Sequence, residues 1–195
     1  FEEPLDLTII IVSFNTKELL LNCLESVKTN TIGLTSEVFV VDNASKDGSA
    51  DAVSKFFPQV HLIRNHENRG LSVADNQAFR KSRGRYLIHQ SSDTVLLENS
   101  FLKIVQFLDR NHKFSVLSPR IVDEGNLPYS MRLRQDSPKD ALLKILGKYD
   151  CTEEIKEMVG NDPRKVEAIG GPCFAIRRST MESIGLLDEK HFLYN

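Results

Sequence analysis

Residues 7 to 14 read LTIIIVSF, a continuous β-branched and apolar run that gives way to Ser13, Phe14 and Asn15. Such a run has no polar face to offer water. It demands cover on both sides, which a strand inside a parallel sheet receives from helices packed on its two faces. The residues that follow, NTKELLLNCLESVKTN, carry Leu20, Cys23, Leu24 and Val27 at helical spacing, and Asn15 followed by Glu18 reads as a capping box for that helix.

The alternation then repeats. EVFVVDN, VHLIRN and RYLIHQ read as strands. GSADAVSKFF, SVADNQAFRKSRG and NSFLKIVQFLDRN read as helices, the second of them ended by Gly84, and FSVLSPRIVD reads as a further strand. Strands separated by single helices predict right-handed βαβ crossovers, hence a Rossmann-like three-layer αβα sandwich around a mainly parallel central sheet. From about 124 to 165 the pattern breaks into turn residues, a short helix over 137–148 and mixed charge, which reads as a mobile insertion. Beyond it, VEAIGGPCFAIRRSTMESIG reads as two short strands around a Gly-Gly-Pro turn and a helix from Ser179 to Gly185. A length of 195 residues fits one domain with a substantial core.

Ligands of such sheets bind beyond the carboxyl ends of the strands. Those ends carry Ser13 and Asn15, then Asp42 and Asn43, then Arg64 and Asn65, then Ser91, Ser92 and Asp93. Each is also an ordinary turn residue; as a set they favour a site. SFNTKE, after the first strand, lacks the Gly-x-Gly-x-x-Gly turn of dinucleotide folds, and the chain has no Gly-x-x-x-x-Gly-Lys phosphate loop. A net charge of −2 gives no basic field for nucleic acid. Three cysteines without Cys-x-x-Cys spacing suggest neither a disulfide framework nor a zinc site, and the five histidines show no paired spacing. The opening FEEPLD carries no apolar segment and no run nears the roughly 18 residues of a membrane helix. The expectation is a cytoplasmic protein, with at most peripheral association at the inner face of a membrane.

VSFN, VVDNASKDGS, NRGLSVADNQAF, a strand ending SSDT, and GGPCFAIRRSTMESIGLLDEKHFLYN occur in this order over nearly the whole chain. In that order they resemble glycosyltransferase family 2, of the GT-A fold, in the branch with rhamnosyltransferase-like enzymes. The resemblance implies a nucleotide-sugar donor (UDP-, dTDP- or GDP-linked) and a saccharide or lipid-linked acceptor in polysaccharide assembly. By that resemblance Ser13 and Asn15 lie beside the nucleoside and Asp42 accepts a hydrogen bond from the base, as an acceptor-only side chain can. Asn43 and the Ser45–Ser49 turn shape the same pocket. Asn68, Arg69 and Gly70 lie near the donor, with Asn76 inward on the next helix.

Asp93 then has a specific task. A bare carboxylate about 4 Å from a phosphate charge is repelled by about 4 kcal/mol at an effective dielectric of 20. A divalent cation, Mg2+ or Mn2+, reverses that sign and needs only one or two protein carboxylates besides phosphate oxygens and water. Asp93 is therefore the expected metal ligand, with Ser91 standing where relatives often carry the first Asp of an Asp-x-Asp pattern or an Asn, and Ser92 at the position between. The inverting general base of the family follows an aromatic segment like HFLYN, so it is expected just after Asn195 and the domain reads as truncated; Asp188 and Glu189 read as structural support. Arg132 and Arg134 are either a solvated strand face or a phosphate contact. Two rivals are a nucleotidyltransferase, which needs a basic Gly-rich loop after the first strand, and a non-catalytic nucleotide-sugar-binding module.

Overall fold

The computed structural model describes residues 5–125, 163–166, 169 and 171–192. They form β1 (Leu7–Ser13), α1 (Lys17–Asn30), β2 (Ser36–Asp42), α2 (Ser49–Phe56), β3 (His61–Arg64), α3 (Leu71–Phe79), β4 (Tyr86–Ser91), α4 (Ser100–Arg110), β5 (Val116–Leu117), β6 (Cys173–Arg177) and α5 (Arg178–Ile184). The chain divides into two compact units, 1–117 with 172–195, and 118–171. In the second, a turn is closed by Gly125 N donating to Asp123 Oδ1 at 2.9 Å. The expected helix over 137–148, Arg132 and Arg134 lie outside the described residues, as does most of the expected insertion.

The first unit contains one sheet in the order β3-β2-β1-β4-β6-β5. β1 pairs in parallel with β2 and β4, and β2 with β3; β6 runs antiparallel to both β4 and β5. The run that opened the chain is thus the central strand, and Leu7, Ile9, Ile10 and Ile11 are fully buried. Burying side chains of this size contributes about 1.5–3 kcal/mol each. Ile10 joins Phe39, Val41, Ala74, Ala78, Phe79, Leu87, Ile176 and Met181 in one cluster, beneath α3 and α5. Strand alternation turns Ile9 and Ile11 to the other face. There α1 buries Leu20, Cys23, Leu24 and Val27, and α4 buries Phe101, Ile104, Val105 and Leu108. The result is a three-layer α/β fold with a mainly parallel sheet.

Three local expectations are corrected. The capping box does not form: Thr16 is the N-cap without a side-chain bond, and Asn15 sits at φ 55 with its Oδ1 accepting Lys46 N at 2.7 Å. Asp47, from the loop after β2, accepts Lys17 N at 2.8 Å instead. The strand expected over 114–123 shrinks to Val116–Leu117, because it pairs only with β6 at the sheet edge and Pro119 has no N–H to extend a ladder. α3 ends at Phe79, well before Gly84. Gly84 serves a different purpose: a Cβ there would overlap the backbone of Leu7 and Thr8. Its N–H donates to Thr8 Oγ1 at 2.9 Å, and Thr8 in turn donates to the buried Glu37 at 2.6 Å.

Candidate functional site

The strand register sets the rim. Ser13 is the partner of Asp42, Asp42 of Arg64, and Ser91 lies one step back, opposite Val12. Asn43 N donates to Ser13 O at 2.8 Å and Asn65 N to Asp42 O at 2.9 Å, so the ladder extends one residue past the strands. Between β1 and β4 the chain switches direction of sheet growth, the place where ligands of open α/β sheets bind. That crevice is spanned by a hydroxyl chain: Ser13 Oγ to Thr16 Oγ1 at 3.0 Å, and Thr16 Oγ1 to Ser92 Oγ at 2.9 Å.

Asp42 is 3% exposed. Its Oδ2 accepts Ser45 N at 3.0 Å, while its buried Oδ1 has no hydrogen-bond partner among the described residues. A buried acceptor left unmet costs about 1–3 kcal/mol. Asn43, 2% exposed, by contrast has a partner for both its side-chain polar atoms. Its Nδ2 donates to Gly70 O at 3.2 Å, and its Oδ1 accepts Asn65 Nδ2 at 2.8 Å and Arg69 N at 3.5 Å. Asn65 and Gln77 exchange reciprocal amide bonds of 3.0 and 2.9 Å, tying β3 to α3. Arg64 leaves the rim: it donates to Asp51 at 2.7 Å, to Ala50 O and to Ser54, and so anchors α2.

The NASKDGS loop caps helices, as its composition suggests. Asp47 accepts Ser49 N at 3.0 Å and Ser49 Oγ at 2.5 Å besides Lys17 N. Partial burial raises its pKa, but the bonds from Ser49 and Lys17 outweigh this and hold the carboxyl below its ordinary value. One carboxylate therefore starts both α1 and α2. Sequence spacing cannot reveal that it serves α1, since the partners are far apart along the chain.

Asp93 occupies the turn after β4, closed by Thr94 N donating to Ser91 O at 3.2 Å. Its carboxylate is exposed and makes no hydrogen bond or ion pair among the described residues. No cluster of three or more His, Cys, Asp or Glu side chains suited to a metal occurs among the described residues. A lone exposed carboxylate suits a hard cation that takes its other ligands from phosphate and water, and does not suit a closed all-protein cage. Behind the turn, Cys23 Sγ donates to Ser91 O at 3.7 Å and accepts from Gln90 Nε2 at 3.3 Å. Burial, and then the neighbouring Cys173 and Asp93, push the Cys23 thiol up to about 12, so it stays protonated.

Asn68, Arg69 and Gly70 reach the rim together. Asn68 Oδ1 accepts Gly70 N at 3.0 Å, and Gly70 adopts φ 82, which favours glycine. Asn76 does not share the rim. Fully buried, it accepts Leu187 N at 3.0 Å and donates to Leu187 O and Glu189 Oε1, each at 2.9 Å. Glu189 also accepts Arg80 at 2.8 Å, which makes it the structural support expected of it. Sequence reasoning missed one buried pair: Asp75 Oδ1 lies 2.9 Å from His89 Nδ1, both 1% exposed. A histidine inside the apolar run YLIHQ was the available signal, because a buried imidazole requires a partner.

The described residues thus form a mainly parallel α/β sheet with a polar rim at its switch point. The chain matches the family model for Glycosyl transferase family 2 over residues 8–185, and it belongs to that family. It is 26% identical over 196 residues to the low-salt glycan biosynthesis hexosyltransferase Agl10 of Haloferax volcanii, covering 97% of this chain and 58% of that protein. It is 24% identical over 174 residues to the N-acetylglucosaminyl-diphospho-decaprenol L-rhamnosyltransferase of Mycobacterium tuberculosis, covering 80% of this chain and 57% of that one. The chain thus spans little more than half the length of either relative. Among solved structures it resembles the mannosyltransferase PcManGT of Pyrobaculum calidifontis, in complex with GDP-Man and Mn2+. The TM-score is 0.68 at 20% identity, over 96% of this chain and 49% of that one.

Proposed function

We propose that this chain is the donor-binding part of a glycosyltransferase that moves a sugar from a nucleotide-sugar to a saccharide or lipid-linked acceptor in glycan assembly, with inversion. The observation that carries this reading is the buried Oδ1 of Asp42 at the carboxyl end of β2, unpartnered among the described residues. A ring N–H of uracil, thymine or guanine offsets the cost of that unmet acceptor, whereas a group with only lone pairs adds to it. Ser13 and Asn15 flank the nucleoside. Asn43 holds the Asn68–Gly70 loop, and Arg69 faces the diphosphate end with a guanidinium that makes no hydrogen bond or ion pair among the described residues.

Asp93, with Ser91 and Ser92 beside it, is the residue that holds a divalent cation, Mg2+ or Mn2+. When bound, such an ion supplies positive charge to the departing nucleoside diphosphate. The Mn2+ in the mannosyltransferase complex supports this. A lipid-linked acceptor is supported by the diphospho-decaprenol in the mycobacterial relative's name. Such an acceptor agrees with a cytoplasmic enzyme working at the inner membrane face; among the described residues no helix is long and apolar enough to cross a membrane.

Calorimetric titration of this chain with UDP, dTDP and GDP, in Mn2+ or in chelator, tests the reading. One nucleotide is expected to bind, more tightly with Mn2+. Asp42→Asn turns an acceptor into a donor against the base and lowers that affinity about tenfold. Asp93→Ala abolishes the gain from Mn2+ and leaves metal-free binding intact. If no nucleotide binds, or if Asp93→Ala retains the full gain, the reading is wrong.

A further inference from the structure

Residues 187–192 cross α3 as a strap fastened at two points. At the first, Asn76 makes three hydrogen bonds to Leu187 and Glu189, and Arg80 closes on Glu189 from the helix surface. The partners stand 109 to 113 residues apart in sequence, so only the tertiary fold brings them together. At the second point Phe192 O accepts Leu71 N at 2.8 Å. A Cβ on Gly70 would stand 2.5 Å from that same oxygen and 2.9 Å from the Phe192 ring, so only glycine allows the contact.

The second point adjoins the rim. Three consecutive residues have a backbone polar group held from outside the loop: Arg69 N and Gly70 O by Asn43 of the β2 end, and Leu71 N by Phe192 of the strap. Arg69 is thereby clamped between β2 on one side and the strap on the other, while its exposed guanidinium is left free of hydrogen bonds among the described residues. A side chain with this many rotamers delivers its charge accurately only if its backbone is fixed.

We propose that the strap is a positioning element for the donor: Asn76 and Glu189, through Leu187 and Phe192, hold the Asn68–Gly70 loop so that Arg69 meets the diphosphate of the nucleotide. This rests on the donor-binding reading above and extends it to residues that do not touch the donor. Loosening the strap weakens recognition of the diphosphate and spares the nucleoside end at Ser13 and Asp42, which β1 and β2 fix independently.

The test compares diphosphates with monophosphates. Affinities of UDP, dTDP and GDP, and of UMP, dTMP and GMP, are measured in this chain and in Glu189→Ala, Glu189→Gln and Asn76→Ala. Glu189 lies at the surface, so its variants remain folded even if Asn76→Ala does not. Glu189→Ala is expected to weaken the bound diphosphate about fivefold, the loss of one or two hydrogen bonds, with the matching monophosphate changed less than twofold. Glu189→Gln retains an acceptor for Asn76 and recovers most of the loss. Hydrogen exchange at the Leu71 amide is expected to speed up in Glu189→Ala. Equal weakening of mono- and diphosphate, or no change in either, overturns the strap's role while donor binding stands. Failure of the unaltered chain to bind any nucleotide instead removes the donor reading and the strap's role with it.

Discussion

The two sides of the sheet are held by different means. From β3 to β4, parallel ladders and fully buried aliphatic side chains such as Ile9, Ile10 and Ile11 supply the cohesion. At the β6 edge two arginines supply much of it, by reaching back to carbonyls. Arg177 donates to Phe114 O at 2.8 Å, to Asn111 O at 3.2 Å, to Leu108 O, and to the Tyr86 hydroxyl at 3.1 Å. Arg178 donates to Gly84 O at 2.7 Å and to Ser82 Oγ at 2.9 Å. Burial without direction makes the first side tolerant of like-for-like apolar change, whereas directional bonds make the second depend on single residues.

The sharpest way to break the contrast is Arg177→Ala. It strands carbonyls at the carboxyl end of α4 and is expected to lower unfolding stability by about 3 kcal/mol in urea titration. Arg177→Lys recovers less than half, since one ammonium cannot replace a planar fork. A loss below 1 kcal/mol would mean the edge is held by packing after all. Next comes Gly84→Ala on the parallel side, where the added methyl meets the backbone of Leu7 and Thr8. The expected loss is about 2 kcal/mol, and repair by backbone shift alone would show that side to be softer than its burial suggests.

The smallest effect is acid dependence at the amino end of the sheet. Arg85 pairs with Asp6 at 2.9 Å and Asp109 at 3.0 Å. Partial burial raises both carboxyl pKa values. For Asp6 the bonds from Thr35 and Arg85 outweigh it, and for Asp109 those from Tyr86 and Arg85, so both lie below their ordinary values. A depressed folded pKa contributes stability that is present above the unfolded value and lost as pH falls through the folded one. Stability is therefore expected to drop below about pH 4, by under about 1 kcal/mol per carboxylate given solvent screening. Asp6→Asn should flatten that slope in unfolding titrations at pH 3 and pH 6.

The parallel side was legible in the sequence because its rule is local. β-branched runs and helical spacing located β1 to β4 and α1 to α4, with the buried face of α1, and the strand ends placed Ser13, Asp42, Asn43 and Ser91–Asp93 on one rim. What failed depended on partners distant in sequence. Asn15 looked like a cap until Asp47 took the Lys17 amide. Gly84 looked like a helix stop, but its lack of a side chain matters to β1. Asn76 was read toward the donor, and its carboxamide is spent on Leu187 and Glu189. Nothing in FSVLSPRIVD told that the β5 ladder would stop at Leu117.

The position of β1 at the middle of the sheet has a consequence for how the chain is made. Both of its neighbours are made after it: Glu37 lies 29 residues beyond Thr8, and Gly84 lies 76 residues beyond the same threonine. β4 then waits for Arg177, 91 residues further on. A nascent chain leaving the ribosome therefore exposes β1 before the strands that enclose it. Such long-range closure is slow and leaves bare strand edges for association in the interval, so synthesis at lowered temperature or with a holdase chaperone should raise the soluble yield.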